Sequence, residues 1–134
     1  MRSIIFSIKS LDFWDRKWTK NKSLHRGKLK PAVQYKNGVN LYYFEGFFCE
    51  LLKDHLYCIS SNFVVWQNGT REHRMMPRID FCAKLHRKFG PAVEYANGDV
   101  EYWIHGKRHN ETGPAVIYGD KKYWYVNGEF VKCT

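Results

Sequence analysis

The sequence predicts an all-β chain of serial antiparallel β-hairpins, about 23 residues to the repeat, with a basic N-terminal arm. Two observations predict the hairpins. The phrase Gly-Pro-Ala-Val-x-Tyr occurs at 90–95 and again at 113–118, 23 residues later, and Pro31-Ala32-Val33-Gln34-Tyr35 is an earlier copy. Asn37-Gly38 and Asn97-Gly98 stand between short runs rich in aromatic and β-branched residues, the strongest local hairpin signal. The third observation concerns charge. Residues 1–30 hold nine Lys or Arg and two acids, a net of +7, whereas residues 31–134 hold 13 and 11, a net of +2. A unit this small cannot bury its own apolar face, so neighbouring units must stack.

Taken in order, the arm covers residues 1–17 and the repeat domain residues 18–134. Ser10-Leu11-Asp12-Phe13-Trp14-Asp15 has the cap and spacing of a short helix, with Leu11, Trp14 and Trp18 on one side. Helix is expected only within the first 30 residues. A half copy opens at Trp18, with Asn21 in a turn position and His25-Arg26 after it. The first full copy starts at Pro31. Asp54 and Pro77 continue the period, and Gly46 and Gly69 are 23 apart, each three residues after an aromatic, Tyr43 and Trp66. The copy at Pro77 is cut short, since only 14 residues separate it from Pro91. The last copy, from Pro114, runs to Asn127-Gly128. Proline at the head of a first strand is tolerable because no ladder donor is needed there.

Aligning the copies puts Tyr35, Phe81, Tyr95 and Tyr118 in one slot, with Cys58 there in the drifted copy. Tyr43, Trp66, Trp103 and Tyr125 fall in a second. These are the expected repeat-stacking residues, burying one another between units.

Arg16, Lys17, Lys20, Lys22, Arg26, Lys28 and Lys30 form a dense basic run beside Trp14 and Trp18. Such a run suits an anionic partner: nucleic acid, an anionic membrane face or an acidic protein surface. It equally suits a solvated segment that docks by Phe13, Trp14 and Trp18 on the first hairpin.

Catalytic chemistry is not expected. His25, His73, His86 and His109 fall near one repeat slot, and a residue needed in every unit is structural rather than catalytic. His105 and His109 are four apart on a turn, and Cys82 with His86 lacks a second pair, so no metal site is expected. There is no phosphate loop and no nucleophile elbow. We therefore expect no enzyme activity, no cofactor and no small-molecule substrate. Cys49, Cys58, Cys82 and Cys133 form no Cys-x-x-Cys pair and are expected as reduced, buried thiols. The apolar run at 4–8 is too short for a signal peptide, so the chain is expected not to be secreted. Asn68-Gly69-Thr70 and Asn110-Glu111-Thr112 match glycosylation sequons and are read as turn residues.

The phrase His86-Arg87-Lys88-Phe89-Gly90-Pro91-Ala92-Val93-Glu94-Tyr95-Ala96-Asn97-Gly98 resembles the MORN-variant repeats of large DNA viruses and some phages. The resemblance covers roughly residues 18–134. It is strongest at 86–128 and weakest at 47–76. Tyr102-Trp103-Ile104-His105-Gly106 orders its Tyr, Trp and Gly differently from the Tyr-x-Gly-x-Trp signature of ordinary MORN repeats. The resemblance implies a MORN-like open sheet or solenoid with a non-catalytic role in assembly. The expected function is a viral minor capsid or virion component that contacts capsid or virion neighbours, located in the virion or the host cytoplasm. A nucleic-acid-binding protein using the arm, and a soluble viral adaptor for a host protein, are the alternatives.

Overall fold

The computed structural model describes residues 4–6, 16–58, 60, 62–75 and 83–134. The expected helix at 10–15, together with Phe81 and Cys82, lies outside the described residues. Among those described, the protein is all-β, with sixteen strands and no helix. It divides into two compact units, residues 1–61 and 62–134.

In the first unit the strands are β1 (Ile4–Phe6), β2 (Arg16–Lys20), β3 (Ser23–Leu24), β4 (Val33–Gln34), β5 (Asn40–Phe44), β6 (Phe47–Leu51) and β7 (His55–Cys58). They lie in the order β1-β2-β4-β5-β6-β7, each pair antiparallel, with β3 beside β2. Residue 17, the end of the arm read from the sequence, falls inside β2. There Arg16 and Lys17 pair in register with Gln34 and Val33.

The second unit contains β8 (Phe63–Trp66), β9 (Arg71–His73), β10 (Val93–Glu94), β11 (Val100–Glu101), β12 (Trp103–Ile104), β13 (Lys107–Arg108), β14 (Val116–Tyr118), β15 (Lys121–Val126) and β16 (Glu129–Cys133). Its order is β8-β9-β10-β11-β14-β15-β16, again antiparallel and open, while β12 and β13 form a separate two-stranded ribbon.

Two kinds of turn join the strands. After Tyr35, Trp66 and Tyr95 the chain makes a four-residue turn. Its glycine N–H returns to the aromatic residue's carbonyl at 2.9–3.0 Å, and that residue's own N–H donates to the carbonyl just past the glycine, at Val39, Thr70 and Asp99. The asparagine before each glycine accepts the next backbone N–H, as Asn37 does from Val39, Asn68 from Thr70 and Asn97 from Asp99. Trp66, aligned by spacing with Tyr43 and Trp103, thus makes the turn of Tyr35 and Tyr95. The sequon residues Asn68 and Asn110 both spend their side chains on turns, Asn110 accepting from the N–H of Thr112. The second kind of turn has two residues, both with positive φ: Glu45-Gly46, His105-Gly106 and Asn127-Gly128.

Ala32, Ala92 and Ala115 are fully buried, with Val33, Val93 and Val116 beside them. Each alanine N–H donates across the sheet, to the carbonyls of Leu41, Glu101 and Tyr123, and each alanine carbonyl accepts from Trp18, His73 and Tyr102. The aromatic slots are shallower: Tyr35, Tyr43, Trp66, Tyr95, Trp103 and Tyr125 are half-buried and Tyr118 is exposed. Ring contacts do occur, Tyr95 to Tyr118 at 6.3 Å and Tyr43 to Phe48 at 5.3 Å. The bulkier apolar core comes from Leu56, Tyr57, Phe63, Val64 and Val65.

The expectation of reduced thiols fails for two cysteines. Cys49 on β6 and Cys58 on β7 are direct cross-strand partners, both buried, with Cα atoms 4.2 Å apart, and they form a disulfide. A turn at 52–54 brings them face to face, which no Cys-x-x-Cys spacing signals. Cys133 is free and exposed.

Burial predicts where truncation hurts. Phe63→Ala should lower unfolding stability by about 3–5 kcal/mol, the usual cost of emptying a buried aromatic site. Phe130→Ala, at a residue 57% exposed, should change it by under about 0.5 kcal/mol. Urea titration measures both, and similar losses would contradict the burial pattern.

Candidate functional site

The His-Arg steps of the sequence serve the backbone. His25 Nδ1 accepts the N–H of Glu45 at 2.9 Å, His86 Nδ1 that of His105 at 3.0 Å, and His109 Nδ1 that of Asn127 at 3.0 Å. All three donors are the first residue of a two-residue turn, with φ of 48°, 49° and 49°. The glycine that follows each donor sends its own N–H to Leu24, Leu85 or Arg108, each at 2.8 Å. In such a turn the first N–H has no ladder partner, and a backbone donor left unpaired away from water is costly. Imidazole supplies the acceptor, which fixes its proton on Nε2.

The residue after each histidine closes the following loop. Arg26 donates to the Pro31 carbonyl at 3.3 Å, Arg87 to that of Pro91 at 3.1 Å, and Asn110 to that of Pro114 at 2.9 Å. Arg26 also lies over the Trp18 ring at 3.8 Å, and Arg87 pairs with Glu94 at 3.2 Å.

His73 stands apart from this set, although the sequence groups it there. Its N–H donates to Ala92, as Trp18 donates to Ala32 and Tyr102 to Ala115, and His86 N–H returns to its carbonyl as His25 does to Trp18. It therefore takes the place of Trp18 and Tyr102. Its ring packs on Phe63 at 5.2 Å, and its Nδ1 is buried without a hydrogen-bond partner among the described residues. Burial, then the charges of Arg87 and Arg71, push its pKa down to about 4, against a smaller upward pull from the Ala92 backbone bond. His86 is also lowered, by burial and by His105, whose ring lies 4.5 Å away.

A second centre was not foreseen. Glu101 is buried, and its carboxylate accepts from Tyr95 at 2.5 Å, Tyr118 at 2.6 Å and the Trp103 indole at 2.9 Å, with Arg108 Nε 3.9 Å away. Burial raises its pKa, but the bonds from Tyr118, Tyr95 and Trp103 and the Arg108 charge outweigh that and hold it below the usual carboxylate value. Burial and the same carboxylate push the Tyr95 and Tyr118 hydroxyls upward. In strand register Glu101 faces Val93, just as Leu41 faces Val33 and Tyr123 faces Val116. A charge where the other copies are apolar was the available signal.

The basic run is divided between internal and solvent-facing roles. Lys20 pairs with Glu45 at 3.4 Å and Arg26 is engaged as above. Lys17 is half-buried, while Arg16, Lys22, Lys28 and Lys30 are exposed. In the second unit the loops at 87–90 and 109–112 flank an open cleft of about 740 Å³, lined by Lys88, Phe89, Tyr102, Ile104 and His109 among others. Phe89 is 81% exposed at its rim, near the Lys88 ammonium. Among the described residues, no three His, Cys, Asp or Glu are grouped so as to hold a metal ion. No protein-family model, no curated protein and no solved structure matches the chain.

His73 and His86 make stability depend on pH. With folded pKa values below the ordinary 6.5, the unfolded chain takes up protons first. Both contributions are present above pH 6.5 and are lost as pH falls, that of His73 by about pH 4. The urea midpoint should therefore drop between about pH 7 and about pH 4. His73→Phe, which keeps a ring against Phe63, should flatten the drop. A pH-independent midpoint in the unmodified protein would mean that His73 is not buried in its neutral form.

Proposed function

We propose that the chain is a non-catalytic MORN-like repeat scaffold of a large DNA virus or phage, a minor capsid or virion component that docks other proteins. The recurrent bonds of His25, His86 and His109 to turn amides carry this reading. They give the most distinctive residues of the phrase a backbone role in three copies, leaving the faces and loops of the sheet to carry variation. The 23-residue period supports the repeat assignment, and the phrase at 86–98 supports the viral one. The buried disulfide favours the virion over a reducing host cytoplasm, because disulfides persist on virions and in oxidising compartments. Exposed Phe89, beside Lys88, gives the scaffold an apolar contact with a basic neighbour. The basic residues near the N-terminus fasten it to an acidic surface, and the exposed subset of Arg16, Lys22, Lys28 and Lys30 does most of this work.

The test neutralises that subset. A chain with Arg16, Lys22, Lys28 and Lys30 all changed to Gln should melt as the unmodified protein does, because none of the four makes an internal ion pair among the described residues. It should co-sediment with virus particles about tenfold less well, and the unmodified chain should be released as salt rises. Undiminished association would assign the anchor to the repeat surface. Tight binding of the unmodified chain to single-stranded nucleic acid, without particle association, would replace this reading by the nucleic-acid one.

A further inference from the structure

We propose that the small pocket walled by Tyr118, Tyr123 and Tyr125 is a carboxylate-binding site in which Arg108 receives the anion. This goes beyond the scaffold role, because it gives one pocket its own ligand chemistry.

Arg108 sits on β13 directly across the ribbon from Trp103. Its guanidinium carbon lies 5.3 Å from the centre of the Trp103 ring and 5.3 Å from that of Tyr125. Two aromatic rings therefore hold the planar group in place, so little side-chain freedom remains to be lost on binding. Its Nε is buried, has no hydrogen-bond acceptor among the described residues, and stands 3.9 Å from Glu101, too far for a bond. Glu101 cannot easily turn toward it, because Tyr95, Tyr118 and Trp103 already hold both carboxylate oxygens. The result is a positioned arginine whose side chain is 36% exposed and makes no hydrogen bond to any described residue.

Beside it is a pocket of about 120 Å³, lined by Arg108, Val116, Tyr118, Tyr123 and Tyr125. Tyr123 and Tyr125 make no side-chain hydrogen bond within the described residues. An arginine fork with phenol donors nearby is the recognition chemistry of a carboxylate, which takes two parallel N–H bonds. The space suits the head of a small acid or of an Asp or Glu side chain. Glu101 already offsets part of the arginine charge and, among the described residues, no second cation lines the pocket, so a monoanion fits better than a phosphate dianion. An organic cation is disfavoured because Arg108 itself faces the rings.

The experiment titrates the whole chain with propionate, with the blocked tripeptide acetyl-Gly-Glu-Gly-amide, and with propionamide, which has the shape without the charge. The Arg108 Nε–H and Trp103 indole resonances report the site. Propionate or the peptide should shift both saturably, and propionamide should not. A tighter peptide identifies an acidic side chain as the natural occupant, and a tighter propionate identifies a free acid. Arg108→Lys keeps a cation opposite Glu101 but loses the fork, and should weaken binding about tenfold. Tyr123→Phe should weaken it about threefold without lowering the melting temperature. No saturable shift with either carboxylate, equal binding by Arg108→Lys, or preferential binding of inorganic phosphate or tetramethylammonium would overturn the proposal.

Discussion

The tight turn with two positive-φ residues is the constraint on which the rest of this protein depends. Strands here are short, many of only two residues, so the chain must reverse every few residues. Each reversal at Glu45, His105 and Asn127 leaves an amide with no ladder partner. A hydrogen bond there adds about 0.5–1.5 kcal/mol net, but an orphaned donor costs about 1–3 kcal/mol, so the acceptor is close to obligatory. A histidine 18–20 residues earlier in the chain meets the need, with a rigid ring that also packs, as His25 does on Phe44 at 4.8 Å. Arg or Asn in the next position then ties down the loop leading to Pro-Ala-Val. One dipeptide thereby sets the exit of one hairpin and the entry of the next.

Glu101 shows how a unit departs from this plan without breaking it. The equivalent positions, Leu41 and Tyr123, have no buried charge to satisfy. Desolvating a carboxylate costs several kcal/mol, and a single ion pair at 3.9 Å would not offset that. Three neutral donors do, each strengthened by the charge they meet. The tyrosines of two successive copies, Tyr95 and Tyr118, converge on one oxygen. Thus the carboxylate ties neighbouring copies together by hydrogen bonds where the other copies rely on apolar contact. The same arrangement leaves Arg108 braced by rings but short of acceptors.

The class of fold and much of the turn chemistry were legible because both depend on local residues. Asn-Gly, Pro-Ala-Val and the recurring aromatics each fix a backbone conformation within a few positions. Register was less legible. His73 and Trp66 were aligned by counting, and both proved to make the bonds of a different slot, because Trp66 lies 31 residues after Tyr35 and 29 before Tyr95, off the 23-residue period. The depth of the aromatics was overestimated. Sequence marks which residues recur but not how far each is covered: Ala32, Ala92 and Ala115 are fully buried, while the recurring aromatics are half-buried or exposed. Cys49 and Cys58 were missed because their partnership depends on a turn at 52–54 that carries no glycine or proline. Glu101 needed the register itself before its neighbours could be named.

The copies that drift furthest from the phrase are informative for the same reason. Between residues 47 and 66 there is no His-Arg step and no Pro-Ala-Val. Yet in the first unit this stretch holds Leu56 and Tyr57 with the Cys49–Cys58 disulfide, and in the second it holds Phe63, Val64 and Val65. These are among the most buried side chains of the chain. Where the hydrogen-bonding phrase is present, a methyl and a valine per copy suffice, since the backbone is already held at its turns. Where it is absent, apolar area and a covalent link take over the restraint, at about 25 cal/mol for each Å² removed from water. The letters are free to drift there because burial tolerates many apolar residues, whereas an acceptor for a turn amide tolerates few.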